Sequence, residues 1–371
     1  MHRLQLHYTL APGNTPPPTG VANPLMTLLR AVHDQGSISA AARSLGVSYR
    51  HVWGELKRWE SELGSELIVW DKGQAARLAE FGSKLLWAER QAQARLAPQI
   101  EALRAGLEQS FAVAFDPQAH VVTLHASHDD ALGLLREHGL RSPRGPLHLD
   151  IQFCGSVDAI RALNEGRCAL AGFHAVDHPA PGSLAQRTYQ PLLQPGLHKI
   201  IGFARRSQGL IVAKGNPLGL RSLADVARLK ARFVNRAIGS GTRLLLDDML
   251  EAQGMEASAL SGYEQSEPSH AAIAQAVAAG SADVGLGLES TALAFHLDFV
   301  PLARERYHLV CLKTALDETP MANLRRALSQ ADWAHAIGQL AGYEPDHCGE
   351  VLSLREALPW WDFSRLKTRR T

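Results

Sequence analysis

The sequence predicts a mixed α/β protein: a small helical domain at the N-terminus, one long helix, and a larger α/β region. Three observations support this prediction. Residues 23–81 show short amphipathic helical patterns, and residues 85–111 show one long helical pattern. From His120 onward, short β-rich runs alternate with amphipathic helices that are bounded by Gly, Ser or Pro. A chain of 371 residues is long enough for two or three domains.

Composition excludes several classes of protein. Hydrophobic residues make up 46% and charged residues 20% of the chain, which excludes global disorder. No apolar run approaches the ~20 residues that span a bilayer, and the start lacks the apolar core of a secretion signal. The four cysteines form no CxxC pair, which argues against a structural zinc and fits a cytoplasmic location. Because the formal net charge is only +1, contact with nucleic acid requires a local basic patch.

Residues 25–63 have the spacing of a helix-turn-helix unit. Gly36 ends the first predicted helix, and Ser37 is placed to cap the second. Gly46 follows the end of the second helix, and Ser48 is placed to cap the third. Two helices joined by a short turn that contains glycine form this unit. Ahead of it, the proline-rich residues 11–20 predict a flexible leader.

The outer face of the third helix carries the chemistry for DNA binding. The N-terminal end of a recognition helix is where side chains meet base edges and phosphates. Residues 1–60 contain six Lys and Arg against three Asp and Glu, a modest basic excess. Two short strands, residues 67–70 and 75–78, would form a wing. The predicted DNA-binding residues are Ser39, Ser48, Tyr49, Arg50, His51, Lys57, Arg58 and Lys72. The alternative is a helical bundle whose charges are only solvated.

A resemblance supports the first interpretation. The segment GSISAAARSLGVSYRHVWGELKRWESELG resembles the winged helix of the molybdate-responsive repressor family and of LysR-type regulators. The part VSYRHVWGEL is closer to the repressor family. The resemblance covers roughly residues 25–85 and implies DNA binding.

The long helix carries an apolar stripe that predicts a seam for a partner helix. The stripe comprises Ala92, Leu96, Ile100, Leu103, Leu107 and Phe111. In LysR-type regulators the matching linker helix forms a dimer, so the resemblance implies a homodimer; whether dimers pair into tetramers stays open. The alternative is that the stripe packs on its own chain. Pro98 interrupts the pattern and predicts a bend.

Four strand–turn–helix passages repeat one design in the α/β region. We call their turns the first (residues 127–130), second (155–156), third (239–243) and fourth (267–270) turns. Each offers a hydroxyl beside the free amides of a helix N-terminus, a combination that binds anions. If the turns converge, they would surround a small oxyanion, with Arg243 as its cation. The predicted ligand-binding residues are Ser127, His128, Ser156, Gly239, Ser240, Gly241, Thr242, Arg243 and Ser269.

A second resemblance covers residues 120–315. Residues 209–218, the motif GSGTR and the segment AVAAGSADVGLGLES resemble type II periplasmic-binding-protein (PBP) domains, above all the cytoplasmic kind fused to molybdate-repressor-like winged helices. The resemblance implies two lobes around a hinge, with the ligand between them. Related transport proteins with a similar turn take up molybdate or tungstate. Here Asp129 stands beside Ser127, and an inward-pointing carboxylate would repel an oxyanion.

The sequence gives less support to a metal site or to catalysis. His120, His125 and His128 cluster in sequence, yet no HxxxH or HExxH helix pair appears, so we expect no metal site. No GxSxG elbow is present, and Cys154 and Cys168 lie in strand contexts that predict burial. The third turn lacks the spacing and lysine of a P-loop. We therefore expect no catalytic residues and no cofactor.

These observations predict five segments and one function. The segments are a leader (1–20), a winged helix-turn-helix domain (21–82), a linker and dimerisation helix (83–117), a two-lobed ligand-binding domain (118–345) and a C-terminal tail (346–371). The expected function is that of a cytoplasmic transcription regulator that binds double-stranded operator DNA, contacts no membrane and senses a small oxyanion, with molybdate or tungstate favoured. The alternatives are a LysR-like sensor of an organic acid or a molybdenum-cofactor-related metabolite, and an enzyme or cofactor-handling protein with a DNA-binding appendage.

Overall fold

The computed structural model describes residues 21–70, 76–115, 119–141, 146–177 and 179–363. The chain divides into two compact units, residues 1–93 and 94–371. The predicted flexible leader lies outside the described residues.

The N-terminal unit contains the predicted helix-turn-helix and a small hairpin. Its elements are α1 (Pro24–Gln35), α2 (Ile38–Ser44), α3 (Tyr49–Leu63), β1 (Ile68–Val69) and β2 (Arg77–Leu78). The caps are as predicted: Ser37 Oγ accepts from Ala40 N, Ser48 Oγ accepts from His51 N, and Gly36 ends α1 in the left-handed region at φ 67°. The antiparallel pairing of β1 with β2 confirms the wing strands.

The core of this unit forms where the three helices meet. Leu29 of α1, Ala41 of α2, and Val52 and Leu56 of α3 are fully buried. These positions follow the helical spacing of the apolar residues, so burial of one face of each helix specifies the arrangement. Trp59 and Leu63 lie at the edge of this cluster, partly buried.

One helix of 36 residues, α4 (Glu80–Phe115), begins in the first unit and ends in the second. It confirms the single long helix and extends it at both ends. Pro98 lies inside this helix. The predicted bend at that position stays a prediction.

The C-terminal unit alternates strands and helices, as the pattern predicts. Its first half contains β3 (His120–Ala126), α5 (Asp130–Leu140), β4 (Leu147–Phe153), α6 (Ser156–Asn164), β5 (Leu170–Val176), α7 (Leu184–Tyr189), β6 (His198–Val212), α8 (Leu223–Arg228) and β7 (Phe233–Arg236). Its second half contains α9 (Gly241–Ala252), β8 (Ser266–Glu267), α10 (His270–Ala278), β9 (Val284–Leu288), α11 (Glu289–Ala294), β10 (Asp298–Leu312), α12 (Thr319–Leu328), α13 (Ala331–Gly338), β11 (Tyr343–Pro345), β12 (Val351–Leu352) and α14 (Leu354–Ala357).

Two long antiparallel strands connect the two halves of the sheet. The strand order is β4-β3-β5-β10-β6-β9-β7-β8, with β11 and β12 also paired to β6. Strands β6 and β10 have 15 residues each and pair along almost their whole length. One half of β10 pairs with β5, and one half of β6 pairs with β9. We call the half built on β3, β4 and β5 the first lobe and the half built on β7, β8 and β9 the second lobe.

Each lobe has its own hydrophobic core. In the first lobe, Leu124, Leu170 and Trp333 are fully buried among strands and helices. In the second lobe, Phe233, Leu246 and Ile273 fill the equivalent position on the sheet. Two separate cores joined by two strands are the physical basis of a hinge between the lobes.

Residues 346–363 of the predicted tail are folded. Strand β12 pairs with β6, and the side chains of Trp361 and Phe363 are 3% and 2% exposed in the core of the first lobe. Trp361 packs against Tyr189, with 6.4 Å between the ring centroids, so it serves as a packing anchor. Residues 346–363 therefore belong to the first lobe, because burial of these aromatic side chains holds them there.

Candidate functional site

The first and second turns meet at two serine hydroxyls. Ser127 follows β3 and Ser156 opens α6, and their Oγ atoms lie 3.3 Å apart. Both side chains are buried, Ser156 completely. Because β3 and β4 are parallel neighbours, their carboxyl ends bring these two turns to the same edge of the sheet.

The third turn comes from the second lobe and packs directly on the second turn. A Cβ atom at Gly155 would lie 2.4 Å from the carbonyl oxygen of Gly239. A Cβ atom at Gly241 would lie 3.4 Å from Ser156 Oγ and 3.3 Å from His174 Nδ1. Only a residue without a side chain fits at Gly155, so the two lobes touch here through bare backbone.

The fourth turn joins through His270. Thr242 Oγ1 accepts a hydrogen bond of 2.9 Å from Gln208 Nε2 and lies 3.5 Å from His270 Nε2. Gln208 is on β6, between the lobes, and Thr242 lies in the first turn of α9. The four turns therefore converge, as the sequence predicted they could, although the fourth contributes His270 and not the predicted Ser269.

The carboxylate of Asp129 is neutralised inside the protein. Its side chain accepts from Ala131 N at the start of α5 and is bonded to Arg206 Nη1. Arg206 also donates from Nε to Glu305 at 3.0 Å. Burial alone would raise the pKa of Asp129, but the charge of Arg206 lowers it below its ordinary value. Asp129 is therefore a helix cap and a partner of Arg206, and its negative charge is compensated.

Arg236 is a buried arginine that forms no ion pair with any carboxylate in the described part of the chain. It ends β7 and is only 3% exposed. Its Nε and Nη1 atoms make no hydrogen bond within the described residues. Burial, with the nearby charge of Arg206, lowers the pKa of Arg236 to about 9, so it still carries a proton at pH 7. An unpaired buried guanidinium is unfavourable and is stabilised by an anion.

Two buried histidines add unused nitrogen atoms. Within the described residues, neither ring nitrogen of His174 makes a hydrogen bond, although its Nε2 lies 3.7 Å from Asp129 Oδ2, and His270 has none at Nδ1. Burial lowers the pKa of His174, and Arg206 lowers it further. Burial and then the charge of Arg236 hold the pKa of His270 well below its ordinary value. Both rings are therefore neutral at pH 7, and each offers one N–H.

These side chains form one group of hydrogen-bond donors. We call it the donor cluster, and it comprises Ser127, Ser156, His174, Arg236, Thr242 and His270. It contains one uncompensated positive charge, several hydroxyl and N–H donors, and the backbone of the third turn. A small molecule with several oxygen atoms and a negative charge would satisfy these groups.

Three predicted ligand residues make other contacts. Arg243 donates from Nε to Asp247 at 3.3 Å, and its guanidinium lies 3.9 Å from the centre of the Tyr263 ring. Ser240 Oγ caps its own helix by accepting from Arg243 N. Ser269 Oγ caps α10 and donates to the carbonyl oxygen of Ala94. The unpaired cation of the cluster is Arg236, whose charge lowers the pKa of His270 and which the sequence reasoning missed.

His128 faces an acidic surface cavity. Its Nε2 lies 3.3 Å from Glu101 Oε2, and its ring packs on Phe153. The cavity has a volume of about 260 Å³ and is also lined by Asp130 and Glu137. Four acidic residues, Glu101, Asp129, Asp130 and Glu137, line this cavity and make it a poor anion site. Among the described residues, no group of three or more His, Cys, Asp or Glu could hold a metal ion.

The predicted DNA-binding residues differ in whether an ion pair holds their side chains. Tyr49, Arg50 and His51 are exposed in the first turn of α3, and Ser48 caps that turn. Ser39 is exposed on α2. The basic side chains further along α3 are held in ion pairs: Lys57 with Glu60 at 2.6 Å, and Arg58 with Glu55 at 2.6 Å and Glu62 at 2.9 Å. Lys72 lies outside the described residues.

The apolar stripe of α4 is partly exposed. Leu96 is 51% and Leu103 is 66% exposed, whereas Ala94 and Ala105 on another face are buried. Leu96 and Leu103 are seven residues apart and share one face of the helix, which suits a partner helix. No helix in the described part of the chain has the length and apolar character to cross a membrane.

Comparison with protein families gives two matches. Residues 25–83 match the helix-turn-helix model of bacterial regulatory proteins of the LysR family. Residues 139–329 match the PBP superfamily domain. The two matches fall on the helix-turn-helix unit and on the two-lobed region described above.

Similar proteins were found among curated sequences and solved structures. The chain is 31% identical over 206 residues to the uncharacterized protein YvgK of Bacillus subtilis (strain 168), a match that covers 54% of this chain and 64% of that protein, less than two thirds of its length. It is 30% identical over 111 residues to a Clostridium pasteurianum protein encoded in the 5′ region of a 2Fe-2S ferredoxin gene, covering 30% of this chain and 98% of that protein.

An H2O2-bound mutant of Corynebacterium glutamicum OxyR has a TM-score of 0.43 at 17% identity, covering 85% of this chain and 94% of that one. CbnR, a LysR family transcriptional regulator, has a TM-score of 0.38 at 16% identity, covering 82% and 98%.

Proposed function

The chain belongs to the PBP superfamily and also carries a LysR-type DNA-binding domain, and from this premise we propose that it is a transcription regulator that senses a small oxyanion. Its helix-turn-helix binds operator DNA in the cytoplasm. Its two-lobed domain binds the anion at the donor cluster. Molybdate and tungstate are the favoured ligands.

The buried, unpaired charge of Arg236 carries this proposal. Leaving a guanidinium without a counter-charge at 3% exposure destabilises the empty protein. A bound anion would supply the missing negative charge and remove this destabilisation. The unpartnered ring nitrogens of His174 and His270 support the same proposal, because each unsatisfied buried polar atom costs about 1–3 kcal/mol.

Close packing of the two lobes favours a small ligand. The backbone of the second turn contacts the third turn at Gly155 and Gly239, and the hydroxyls of Ser127 and Ser156 lie 3.3 Å apart. This spacing suits a compact ion held by several short hydrogen bonds. A tetrahedral oxyanion offers four oxygen atoms to the donors that converge here.

One observation favours a second candidate ligand. Gln208 donates from Nε2 to Thr242 and to Glu305, but its Oε1 atom is buried and accepts no hydrogen bond within the described residues. An unused acceptor suits a ligand with its own O–H group, such as an organic hydroxy acid. Binding of such an acid would make the protein a LysR-like metabolite sensor.

Two further properties complete the proposal. The exposed stripe of α4, with Leu96 and Leu103 at its centre, forms a homodimer. A dimer presents two copies of α3 to two half-sites, which multiplies the contact with DNA. We propose that the donor cluster binds its ligand without a catalytic step and without a cofactor.

The experiment that tests ligand sensing is a calorimetric titration of the full-length protein. Molybdate, tungstate, sulfate, phosphate and a hydroxy acid such as malate serve as ligands. Oxyanion sensing predicts binding of at least one inorganic anion and loss of affinity in Thr242→Ala by ~1–3 kcal/mol, since Gln208 and His270 would lose their partner. Heat from malate alone would select the second candidate, and no heat from any ligand would discard both.

A further inference from the structure

Pro98 leaves a gap in the hydrogen bonding of α4, and a distant serine fills it. Proline has no backbone N–H, so the carbonyl of Ala94, four residues earlier, has no donor within the helix. Ser269 Oγ donates to this carbonyl oxygen at 2.8 Å, and Ser269 is completely buried. We call residues 94–98 of α4 the Pro98 notch. The fourth turn is therefore attached to the linker helix at a position that the proline makes available.

A bidentate ion pair strengthens the same attachment. Arg95 donates from Nε to Glu267 Oε2 at 2.9 Å and from Nη2 to Glu267 Oε1 at 2.6 Å. The Glu267 side chain is 9% exposed. A two-pronged arginine–carboxylate contact fixes orientation as well as distance. Two residues of the fourth turn, Glu267 and Ser269, thus hold two consecutive residues of α4.

The residue that follows the attachment belongs to the donor cluster. His270 is adjacent in sequence to Ser269, and its ring lies 3.5 Å from Thr242 Oγ1 and close to the charge of Arg236. The path from the ligand site to the linker helix is therefore a single peptide bond long, from His270 to Ser269. Both ends of this path are buried, which limits independent motion of either one.

The same stretch of α4 also holds the first lobe. Glu101 Oε2 lies 3.3 Å from Nε2 of His128, which is next to Ser127 of the donor cluster. Arg95 holds the second lobe and Glu101 the first, within two turns of one helix. A change in the separation of the lobes must therefore change at least one of these contacts.

We propose that the Pro98 notch is the place where ligand occupancy acts on the linker helix. This inference rests on the proposed anion sensing and adds its route of regulation. An anion that binds His270 and Thr242 fixes the fourth turn, and Ser269 and Glu267 then fix α4 at the notch. In the empty protein the turn moves more freely and the helix is held less firmly. Because α4 is continuous from residue 80, the difference reaches the DNA-binding domain along one helix.

The first test separates coupling from ligand binding. Arg95→Gln removes the ion pair, and Pro98→Ala restores the helical N–H for Ala94. Arg232→Gln is the matched control, because Arg232 makes a similar bidentate pair with Asp283 within the second lobe. Operator affinity is measured by fluorescence anisotropy with and without molybdate or tungstate, whichever binds, and the ratio of the two dissociation constants is the coupling factor.

The expected result is a loss of coupling in both notch variants. Coupling factors in such proteins are about 5–150, and we expect Arg95→Gln and Pro98→Ala to reduce the factor to about a third or less of its original value. Arg232→Gln should keep it. A wild-type coupling factor in both notch variants overturns the proposal.

A double-mutant cycle tests the hydrogen bond itself and needs no ligand. Ser269→Ala removes both the cap on Ala272 and the bond to Ala94, so its effect is measured in the native and in the Pro98→Ala background. The lost cap contributes equally to both. The fall in Tm should be about 2–4 °C smaller in the Pro98→Ala background, because Ala94 then has a partner within the helix. Equal falls would show that the notch bond contributes nothing and would overturn the proposal.

Anion sensing and its route through the Pro98 notch are distinguished by different experimental outcomes. If no ligand binds the native protein, anion sensing is wrong, and ligand control through the notch is wrong with it, even where the cycle confirms the bond. If the anion binds and the native coupling factor is well above one but the notch variants keep it, only the route is wrong.

Discussion

At the scale of single residues, Arg206 and Arg236 show how the same side chain serves stability or binding. Arg206 lies between Asp129 and Glu305, and although burial opposes its charge, these carboxylates raise its pKa above the ordinary value. Arg236 has no such partner and its pKa is lowered. The first arginine stabilises the fold, and the second is the positive charge that the proposed anion would neutralise.

Replacement of Arg236 by methionine should stabilise the empty protein. Removing an unpaired buried charge and keeping the apolar volume should raise the free energy of unfolding by ~1–3 kcal/mol. The same change should abolish the stabilisation that the anion gives to the native protein. Both effects are measured by thermal unfolding with and without the ligand.

Arg206→Met is the matched comparison. It leaves Asp129 and Glu305 buried without their partner, so it should destabilise the protein by ~3–5 kcal/mol. If Arg236→Met proved as damaging as Arg206→Met in the absence of ligand, Arg236 would have a structural partner and the anion site would lose its central charge.

The lowered pKa of Arg236 predicts a loss of anion affinity at high pH. Its pKa in the empty protein is about 9, below the ordinary value of 12.5, so the charged form is disfavoured by folding. As the pH rises through about 9, Arg236 loses its proton and the anion loses its counter-charge. By the same linkage, the free energy of unfolding of the empty protein should rise as the pH rises from about 9 to 12.5. In that range the unfolded chain binds more protons at this residue than the native protein does.

Titrations with molybdate test this, since molybdate keeps the same charge over the range. The dissociation constant should be constant from pH 7 to 8 and then rise, approaching tenfold per pH unit above about pH 9. Arg206 keeps its charge throughout, because its pKa is raised, and His174 and His270 are already neutral. Arg236→Met should remove the pH dependence. A flat profile in the native protein would contradict the role of Arg236.

At the scale of elements, the sequence predicted the helix starts that depend only on nearby capping residues. The predicted helix starts at the second, third and fourth turns are present as the N-termini of α6, α9 and α10. Apolar alternation and helix caps act locally, so they can be read from short segments.

Strands β6 and β10 escaped prediction because charged residues interrupt their apolar pattern. Arg206 and Gln208 lie in β6, and Glu305 and Arg306 in β10. Such residues normally disfavour a buried strand, yet here Glu305 accepts hydrogen bonds from both Arg206 and Gln208 across the strand pair. Arg306 pairs with Asp177. The contacts of Glu305 depend on residues almost 100 positions apart, which a local pattern cannot reveal.

The cation of the site was missed for a related reason. Arg243 was favoured because it stands in a glycine-rich turn, but Asp247 lies one helical turn later and pairs with it. That pairing was visible in the sequence as an i,i+4 spacing. Arg236 ends a strand, and its lack of a partner becomes evident only when all its neighbours are in place.

The contact between the second and third turns predicts that Gly155→Ala opens the cleft. The added Cβ atom would lie 2.4 Å from the carbonyl oxygen of Gly239, so the two lobes would have to separate. Overpacking of this kind costs about 1–3 kcal/mol, and the anion affinity should fall by roughly 5- to 150-fold.

Gly133→Ala is the control for this change. Gly133 lies in α5 of the first lobe, and a Cβ atom there meets nothing within 4 Å. The affinity of Gly133→Ala should equal that of the native protein in the same calorimetric titration. An undiminished affinity in Gly155→Ala would mean that the closed contact is not part of the ligand-bound state.

At the scale of the whole molecule, the helix-turn-helix and the donor cluster lie in different compact units. The helix-turn-helix lies within residues 1–93 and the donor cluster within residues 94–371. A substitution at a DNA contact should therefore leave the intrinsic anion affinity unchanged. This separation is what allows each function to be tested alone.

Arg50→Ala should weaken operator binding and spare the ligand. Arg50 is exposed in the first turn of α3, with no ion pair described, so its guanidinium is available for a base edge or a phosphate. Loss of a base contact costs about 1–3 kcal/mol, and a dimer loses two. In a mobility-shift assay with the DNA upstream of the gene, we expect the dissociation constant to rise by at least about tenfold.

Arg30→Ala, at a residue that pairs with Glu89, is the control and should change this dissociation constant little. Equal affinity for Arg50→Ala and the native protein would place the DNA-reading surface elsewhere on this domain. A loss shared by both variants would instead indicate a contact made by net charge alone.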